Sequence, residues 1–378
     1  SCRRGPLEVW RAIPLLLGIS ASVTTLSAAQ DVGNRAVQIF QLDFLDRPES
    51  IAFDEDTDQY FSHKGAGENA GCITVFTPDN ALVKEDFGCC PDAHGMVAAN
   101  GTLFVAGHGQ ICVFEIASLK QLASIGKDDF DGITLHGLDF NMNTNTLWTT
   151  STGSKDGAEK QLLAKVDLNN NTTNITFQEG FGEGDTALLF PTGIVVDQVT
   201  NDLYIANMMK PGAAYDNAGA VYRCKSEDFT DTTVDCKMIP ATLVLTQNYD
   251  LMGYGITISK IDGHLYFTGF SSNTSFLFKL TGVDRDDLEA LVLDFRVLQT
   301  PGDMAYDEAR NLLLIPAVAG SSYAAVHLTE VITPKRLFRS FPPSQTYSDN
   351  PLSFISSPES IEYDQYSDQY FITPKRLF

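Results

Sequence analysis

The chain has 378 residues, of which 48 are acidic and 26 are basic, so its formal net charge at pH 7 is −22. A field of this sign repels phosphate backbones and anionic lipids, which excludes nucleic acid and membrane surfaces as expected partners. Hydrophobic residues make up 43% of the chain, which is enough to form a core. Charged residues make up 20%, which is too few for a disordered chain. We therefore expect a globular monomer whose partner is a small-molecule substrate or ligand.

The first 29 residues resemble a secretory signal peptide. Three arginines, at positions 3, 4 and 11, precede an apolar stretch over 12–23, and the small residues at 27–29 offer a cleavage site. The apolar stretch is too short to span a bilayer as an anchor. We predict that residues 1–29 are removed and that the protein is secreted; a buried or disordered amino-terminal helix is the alternative.

A short pattern of two alternating strands joined by a polar turn returns six times along the chain. We call the second residue of each copy its axial position; these are Glu49, His94, His136, Thr192, Tyr254 and Gly302. The mean step between them is about 51 residues, which is typical of a four-stranded propeller blade. The sequence therefore predicts an all-β, six-bladed β-propeller over residues 30–340.

The ends of this repeat array are predicted separately. A strand within 36–44 is expected to close the ring by joining the last blade, and the one candidate helix is a short stretch, Asp286–Val292. Residues 341–378 are predicted to be an appended partial repeat of the first blade, because Pro358–Phe371 resembles Pro48–Phe61. A seventh blade built from both termini is the alternative.

Cysteines and sequons agree with secretion. Removal of the signal peptide leaves six of the seven cysteines, an even number that suits an oxidising compartment. Cys224 and Cys236 flank a short segment between two strand-like runs, so we predict a disulfide between them; the pairing of the other four stays open. Glycosylation sequons, which would be used in a eukaryotic source, occur at Asn100, Asn170, Asn171, Asn174 and Asn273.

The first copy resembles a known family. Glu49-Ser50-Ile51-Ala52-Phe53-Asp54-Glu55, followed by Gln59-Tyr60-Phe61, is similar to the first-blade signature of the senescence marker protein, gluconolactonase and luciferin-regenerating enzyme family. The resemblance covers about residues 45–330 and includes the glycine that follows most axial positions. It implies a six-bladed propeller with a metal site, usually calcium, in the central channel. Paraoxonases and strictosidine synthases share this scaffold.

The axial residues depart from the family's ligand pattern. The resemblance implies that Glu49 is a metal ligand, but the family commonly places Asn or Asp where this chain has His94 and His136. Calcium prefers oxygen ligands, whereas imidazole suits zinc, iron or copper. We therefore predict a divalent ion, either calcium as the family implies or a transition metal as the ligands imply, held by Glu49, His94, His136 and Asp303.

Three functions remain open from the sequence. In the first, the metal polarises the carbonyl of a lactone or ester and activates water. In the second, no metal binds, and His94 or His136 acts as a general base beside Tyr254. The third is a non-catalytic ligand-binding or structural propeller. His63, His108 and Asn207 are interpreted as loop residues near the channel mouth.

Overall fold

The computed structural model describes residues 37–65, 69–153, 161–169, 174–179, 190–208, 219–229, 236–239, 242, 252–270, 275–282, 285, 287–293, 298, 300–328, 358–364 and 369–374. These residues are almost entirely strands and turns, with a short 3-10 turn at Ser226–Asp228. The chain divides into two compact units, Ser1–Phe338 and Arg339–Phe378. In chain order the strands are β1 (Val37–Gln41), β2 (Ile51–Asp54), β3 (Gln59–His63), β4 (Ile73–Phe76), β5 (Leu82–Lys84), β6 (Met96–Ala99), β7 (Thr102–Gly107), β8 (Gln110–Glu115), β9 (Lys120–Ile125), β10 (Leu138–Asn141), β11 (Thr146–Thr152), β12 (Gln161–Asp167), β13 (Asn174–Glu179), β14 (Pro191–Val196), β15 (Asp202–Asn207), β16 (Val221–Lys225), β17 (Cys236–Met238), β18 (Met252–Ile258), β19 (Leu265–Phe270), β20 (Ser275–Thr281), β21 (Asp287–Leu293), β22 (Ala305–Asp307), β23 (Leu312–Ala317), β24 (Ser322–His327), β25 (Pro358–Asp364) and β26 (Gln369–Pro374).

Six four-stranded antiparallel sheets form the blades of a propeller. Five blades use consecutive strands, β2–β5, β6–β9, β10–β13, β14–β17 and β18–β21. The sixth has the order β1-β24-β23-β22, so the amino-terminal strand is its outer strand, paired from Val37↔Val326 to Gln41↔Ser322. This arrangement confirms the predicted six-bladed fold and its closure by the amino-terminal strand. The part of the chain that the structure describes contains no seventh blade.

The turn between the first two strands of each blade explains the polar residue found there in every copy. Each turn contains a residue with positive φ, which only Gly, Asn and Asp adopt at low cost. These residues are Asp58, Asn100, Asn145, Asn201, Gly263 and Asn311, with φ between 51° and 68°. Local backbone sterics thus fix where each blade reverses direction.

Adjacent blades are held together by apolar side chains that face each other. Between the first and second blades, Phe61 packs in one cluster with Leu103 and Phe114. Between the sixth and first blades, Tyr60 and Tyr323 meet with their ring centroids 6.4 Å apart. Burial of these faces is the main favourable term in assembling the ring.

Three disulfides cross-link the propeller. Cys224 pairs with Cys236, which confirms the prediction, and these residues also lie opposite each other on β16 and β17. The other pairs are Cys72–Cys89 and Cys90–Cys112. The adjacent cysteines 89 and 90 thus tie the segment between β5 and β6 to the first blade and to the second.

The predicted short helix at Asp286–Val292 is wrong. Residues 287–293 form β21, which pairs with β20 from Thr281↔Asp287 to Ser275↔Leu293. A short apolar run cannot be assigned to helix or strand from its pattern alone, and here pairing with a neighbouring strand decides it.

The predicted signal peptide, residues 1–29, and the sequons at Asn170, Asn171 and Asn273 lie outside the described residues. Asn100 lies in an exposed turn. Within the described ranges, the structure contains no helix with the length and apolar character needed to cross a membrane.

The described part of the second unit is a single hairpin, β25–β26. Ile361 pairs with Ile372 in this hairpin as Ile51 pairs with Ser62 in β2–β3, a displacement of 310 residues (361 minus 51). The register of the hairpin therefore repeats that of the first two strands of the first blade.

Candidate functional site

Backbone hydrogen bonds bring the axial residues together around one axis. The amide of Gly95 donates to the carbonyl of His136 over 2.7 Å, and the amide of Gly137 donates to the carbonyl of Thr192 over 3.0 Å. The ring closes where the amide of Asp303 donates to the carbonyl of Glu49 over 2.7 Å. The side chains of successive axial residues are consequently neighbours in space.

The glycine that follows most axial positions is required by this close approach. A Cβ atom placed there would meet the carbonyl oxygen of the next axial residue, and backbone cannot move aside as a flexible side chain can. The distances would be 2.2 Å at Gly95, 2.3 Å at Gly137, 2.4 Å at Gly193 and 2.4 Å at Gly255. The recurring glycine of the sequence pattern is therefore a packing requirement of the axis.

Glu49 and His94 form the centre of the candidate site. The Nδ1 atom of His94 donates a hydrogen bond to Oε2 of Glu49, and the hydroxyl of Tyr254 donates to the same oxygen over 3.2 Å. The Nε2 atom of His94 lies 3.7 Å from Oδ2 of Asp92. His94 thus stands between two carboxylates from the first blade and from the segment that follows it.

Their mutual interaction shifts both ionisations in the direction of an ion pair. Burial raises the pKa of Glu49, but the hydrogen bond and charge of His94 outweigh burial and hold the pKa below its ordinary value of 4.5. Burial lowers the pKa of His94, but the carboxylates of Asp92 and Glu49 outweigh it and raise the pKa to about 9. At neutral pH the site therefore contains a carboxylate and an imidazolium.

His136 stacks on His94 and differs from it in charge, because the His136 ring is neutral. The two ring centroids are 4.3 Å apart and the planes differ by 26°. Burial, followed by the positive charge of His94, lowers the pKa of His136 to about 3. The pair therefore combines one charged and one neutral imidazole at neutral pH.

The hydrogen bond of the His136 ring involves Nε2. This nitrogen lies 2.9 Å from the Thr152 hydroxyl, which also lies 3.3 Å from the carbonyl of Gly153. In the tautomer with its proton on Nε2, the ring donates to the hydroxyl and Nδ1 is a bare acceptor. Nδ1 is buried and has no hydrogen-bond partner among the described residues.

Tyr254 and Asp303 complete the cluster as neutral groups. Burial, followed by the charge of Glu49, raises the pKa of Tyr254 well above its ordinary value. Burial, followed by the charge of Asp139, raises the pKa of Asp303 to about 8. Both groups therefore carry protons at neutral pH.

These side chains surround a small cavity on the axis. Measured as the space open to the centre of a water molecule, its volume is about 10 Å³, which is about enough for one water. Its lining residues are His94, Gly95, His136, Gly137, Thr192, Gly193, Tyr254 and Asp303. The cavity is thus the size of a single reacting water and far smaller than a lactone.

The structure brings together most of the residues singled out in the sequence. His94, His136, Tyr254 and Asp303 line the cavity, and Glu49 binds two of them. The axial Thr192 has a structural role, because its hydroxyl is bonded to backbone carbonyls of neighbouring strands.

The predicted ligand set does not fit one metal ion in this arrangement. Both nitrogens of His94 face carboxylates, and the Oε2 atom of Glu49 already accepts two hydrogen bonds. The stacked rings of His94 and His136 turn their faces to each other, whereas coordination uses lone pairs in the ring plane. No group of three or more His, Cys, Asp and Glu side chains within the described ranges is placed to hold an ion. Metal binding by Glu49, His94, His136 and Asp303 stays a prediction.

Four residues in and around the site were missed or misassigned from the sequence. The interpretation of His63 as a loop residue is wrong: it ends β3, is fully buried, and donates from Nε2 to the carbonyl of His94 over 3.0 Å. Asn207 is likewise a buried residue at the end of β15, whereas His108 lies in an exposed turn after β7. Asp92 and Thr152 carry no pattern of their own. Asp92 lies two residues before His94, and Thr152 lies sixteen residues after His136. This closeness to an axial histidine was the only signal in the sequence.

No family model and no curated protein sequence matches the chain. Among solved structures, luciferin-regenerating enzyme is similar with a TM-score of 0.54 and 10% identity, over 77% of this chain and 96% of that chain. A gluconolactonase from Xanthomonas campestris has a TM-score of 0.51 and 12% identity, over 77% and 89%. The Cps50 (Swd1) β-propeller domain of Myceliophteria thermophila has a TM-score of 0.50 and 8% identity, over 75% and 96%. The resemblance read from the first-blade signature is thus confirmed at the level of the fold, a six-bladed β-propeller shared with luciferin-regenerating enzyme and gluconolactonases.

Proposed function

We propose that the chain is a secreted hydrolase of lactones or esters that works at Glu49, His94, His136 and Tyr254. The observation that carries this proposal is the stacked histidine pair on the propeller axis. One ring is held between carboxylates as a cation, and the other is buried as a neutral acceptor. Enzymatic hydrolysis commonly uses one group that takes a proton and one that gives a proton, and this pair supplies both.

Two further observations support the proposal. The similar structures include luciferin-regenerating enzyme and a gluconolactonase, and the latter name denotes action on a lactone. Three disulfides and the signal-like segment at residues 1–29 support secretion into an oxidising compartment.

The proposed reaction moves two protons. Water attacks the carbonyl carbon of the lactone or ester and gives a proton to Nδ1 of His136. As the bond between the carbonyl carbon and the leaving oxygen breaks, Nε2 of His94 donates its proton to that oxygen. The products are a carboxylic acid and a hydroxyl group, which stay in one molecule when the substrate is a lactone.

The short distance between the rings couples the two transfers. Two imidazolium ions with centroids 4.3 Å apart would repel each other, so His136 becomes a stronger base as His94 loses its proton. Glu49 and Asp92 hold His94 in place and favour its charged form before the reaction. Because the cavity admits about one water, the substrate carbonyl has to approach from the channel mouth.

Hydrolysis of a panel of aliphatic and sugar lactones and aryl esters tests the proposal. We expect His136→Asn to lower kcat/KM by about 100-fold or more, the usual contribution of general acid–base catalysis. His108→Asn, the same change in an exposed turn, should leave kcat/KM unchanged. Activity should fall as pH rises through about 9, where His94 loses its proton.

A non-catalytic structural propeller is the second candidate, and the small size of the cavity favours it. Space for about one water gives a substrate ring no enclosed pocket among the described residues. Absence of turnover across the panel by folded protein would support this candidate and refute the hydrolase proposal.

A further inference from the structure

Three consecutive turns of the propeller carry exposed apolar side chains. We call them the basal turns; they are residues 141–145 of the third blade, 197–201 of the fourth and 259–263 of the fifth. Six large hydrophobic side chains are exposed among the described residues, and half of them lie here: Met142 at 55%, Val199 at 91% and Ile261 at 64%. Single exposed apolar residues are ordinary on a protein surface, whereas three on neighbouring turns form a patch.

The basal turns lie at the end of the propeller opposite the axial residues. In the third blade His136 precedes β10, and the basal turn follows the end of this strand. In the fifth blade Tyr254 lies near the start of β18, and the basal turn again follows its end. A partner bound at the basal turns would therefore leave the axial site uncovered.

Side-chain hydrogen bonds join the basal turns of the third and fourth blades. The amide of Met142 donates to Oε1 of Gln198 over 2.9 Å, and Nδ2 of Asn143 donates to the carbonyl of Gln198 over 2.6 Å. Nδ2 of Asn143 also donates to Oδ1 of Asn201 over 3.0 Å. Because Met142 and Val199 are part of these bonded turns, their side chains are presented by one continuous surface.

Arg285 joins the basal turns of the fourth and fifth blades. Its guanidinium donates to Oδ2 of Asp197 over 3.3 Å and to the carbonyl of Gly263 over 2.9 Å. The residue is 9% exposed, and its guanidinium lies 4.7 Å from the centre of the Tyr204 ring. A buried cation bonded to both turns fixes their spacing. The apolar patch is thus preorganised, which lowers the cost of binding a partner.

The charges of the basal turns are balanced, although the whole chain has a net charge of −22. Each charged residue of these turns forms an ion pair; the pairs are Asp197–Arg285, Lys260–Glu308 and Asp262–Lys279. The equivalent turn of the first blade, by contrast, has acidic residues at 54, 55, 56 and 58. Two copies of an acidic chain repel each other least where their surfaces are balanced in charge and apolar.

We infer that the basal turns form the interface of a symmetric dimer, in which Met142, Val199 and Ile261 of one copy pack against the same residues of a second copy. A two-fold axis places the same patch on both sides, so each apolar side chain meets an apolar counterpart. Val199 is on the middle turn and is therefore nearest the axis. The inference does not rest on hydrolysis and holds equally for a structural propeller.

Analytical ultracentrifugation of three versions of the full chain tests the inference. One variant combines Met142→Gln, Val199→Thr and Ile261→Thr; its matched control combines Leu82→Thr, Val83→Thr and Leu122→Thr, the three exposed hydrophobic residues outside the basal turns. Concentrations up to about 1 mM cover weak interfaces. We expect wild type and the control to approach the dimer mass, and the basal variant to have a dissociation constant at least about tenfold higher, because less apolar surface is buried.

Salt distinguishes apolar association from pairing of charges. We expect the wild-type dimer to become tighter between about 0.05 M and about 0.5 M salt, because repulsion between two acidic chains is screened and apolar contact is not weakened. A dimer that dissociates as salt is added would be held by ion pairs between copies, which contradicts the proposed interface.

Val199→Cys keeps the inference testable if the basal variant does not fold. This single change on a 91% exposed residue should give a covalent dimer on oxidation, whereas Leu122→Cys, at 59% exposure on β9, should not. A wild type that stays monomeric at all concentrations would overturn the inference and leave the patch to a different protein. Association that the basal variant retains in full, growth beyond the dimer, or equal cross-linking of the two cysteine variants would also overturn it.

Discussion

The charge of His94 shifts the ionisation of Glu49 and of His136. Its imidazolium outweighs the effect of burial on Glu49 and adds to the effect of burial on His136. A buried ion pair is costly to form, and removal of one member leaves the other uncompensated. The stability of the protein should therefore depend on pH in a way that can be assigned to this residue.

We expect the melting temperature of wild type to fall between pH 6.5 and 9. The folded state raises the pKa of His94 from 6.5 to about 9, so the folded state holds a proton that the unfolded state releases in this interval. The contribution of His94 is thus fully present below pH 6.5 and is lost as pH rises through about 9. His94→Asn should flatten this part of the profile, as followed by thermal unfolding, and His108→Asn should leave it unchanged. An equally steep profile in His94→Asn would contradict the assignment.

A single methyl group on the axis should also be costly. Gly95→Ala would place a Cβ atom 2.2 Å from the carbonyl oxygen of His136, so the backbone has to shift. We expect the free energy of unfolding in urea to fall by about 1–3 kcal/mol, as for other overpacked positions. Gly320→Ala is the control, because its Cβ would meet only the hydroxyl of Ser322, at 3.4 Å. Equal effects of the two substitutions would show that close approach does not explain the glycine.

Among the residues of the site, the sequence predicted those at equivalent positions of the blade repeat and missed those at other positions. Glu49, His94 and His136 were identifiable because the blade repeat places them at equivalent positions. His63, at the end of β3, contacts His94, and Thr152, at the end of β11, contacts His136. These contacts depend on how the strands pair, which the sequence of a single copy does not show. Asp92 lies in a segment whose path depends on disulfides that the spacing of the cysteines leaves open.

At the scale of elements, the segment between β5 and β6 is the most constrained part of the site. It carries Asp92 and His94, and just before them it contains Cys89 and Cys90, which are cross-linked to different blades. The backbone of His94 is further fixed by its amide, which donates to the carbonyl of Ala106 over 2.9 Å. The segment is therefore anchored by disulfides before the functional histidine and by a backbone hydrogen bond at the histidine itself.

Removal of Cys90–Cys112 should disturb the site, whereas removal of Cys224–Cys236 should not. Each double substitution to alanine is expected to lower the free energy of unfolding by about 2–4 kcal/mol. The ring resonances of His94 should move only in Cys90→Ala/Cys112→Ala, since that bridge holds the segment that carries this residue. Unchanged His94 resonances in that folded variant would show that the disulfide does not position the site.

At the scale of the whole molecule, closure joins the two ends of the propeller. Strand β1 pairs with β24, and Phe40 stacks on Tyr323 with centroids 5.1 Å apart. Between the first and sixth blades, the Tyr60 hydroxyl donates to Asp307 over 2.5 Å. The six blades were predictable because the repeat and its period are properties of the sequence. The exact registers were not, because β-bulges such as those between Pro191 and Ile194 interrupt the alternation.

Truncation should separate the contributions of the two ends. A chain that begins at Asp43 lacks β1 and exposes the edge of β24. Because the apolar contacts of β1 are lost, we expect the free energy of unfolding to fall by on the order of 3 kcal/mol or more. A chain that ends at Phe338 retains all six sheets and should keep the melting temperature of the full protein. Thermal unfolding of both chains checks these expectations, and destabilisation of the second chain would show that residues 339–378 support the propeller.

Closure also sets the moment at which the site comes into existence during synthesis. Glu49 binds Tyr254, which lies 205 residues later, and its carbonyl accepts from Asp303 in the last blade. A nascent chain that has emerged only through its second blade already contains Glu49, Asp92 and His94, yet the partners from blades five and six are still untranslated. The complete set of site residues can therefore assemble only late in synthesis, and its formation indicates that the ring of blades has closed.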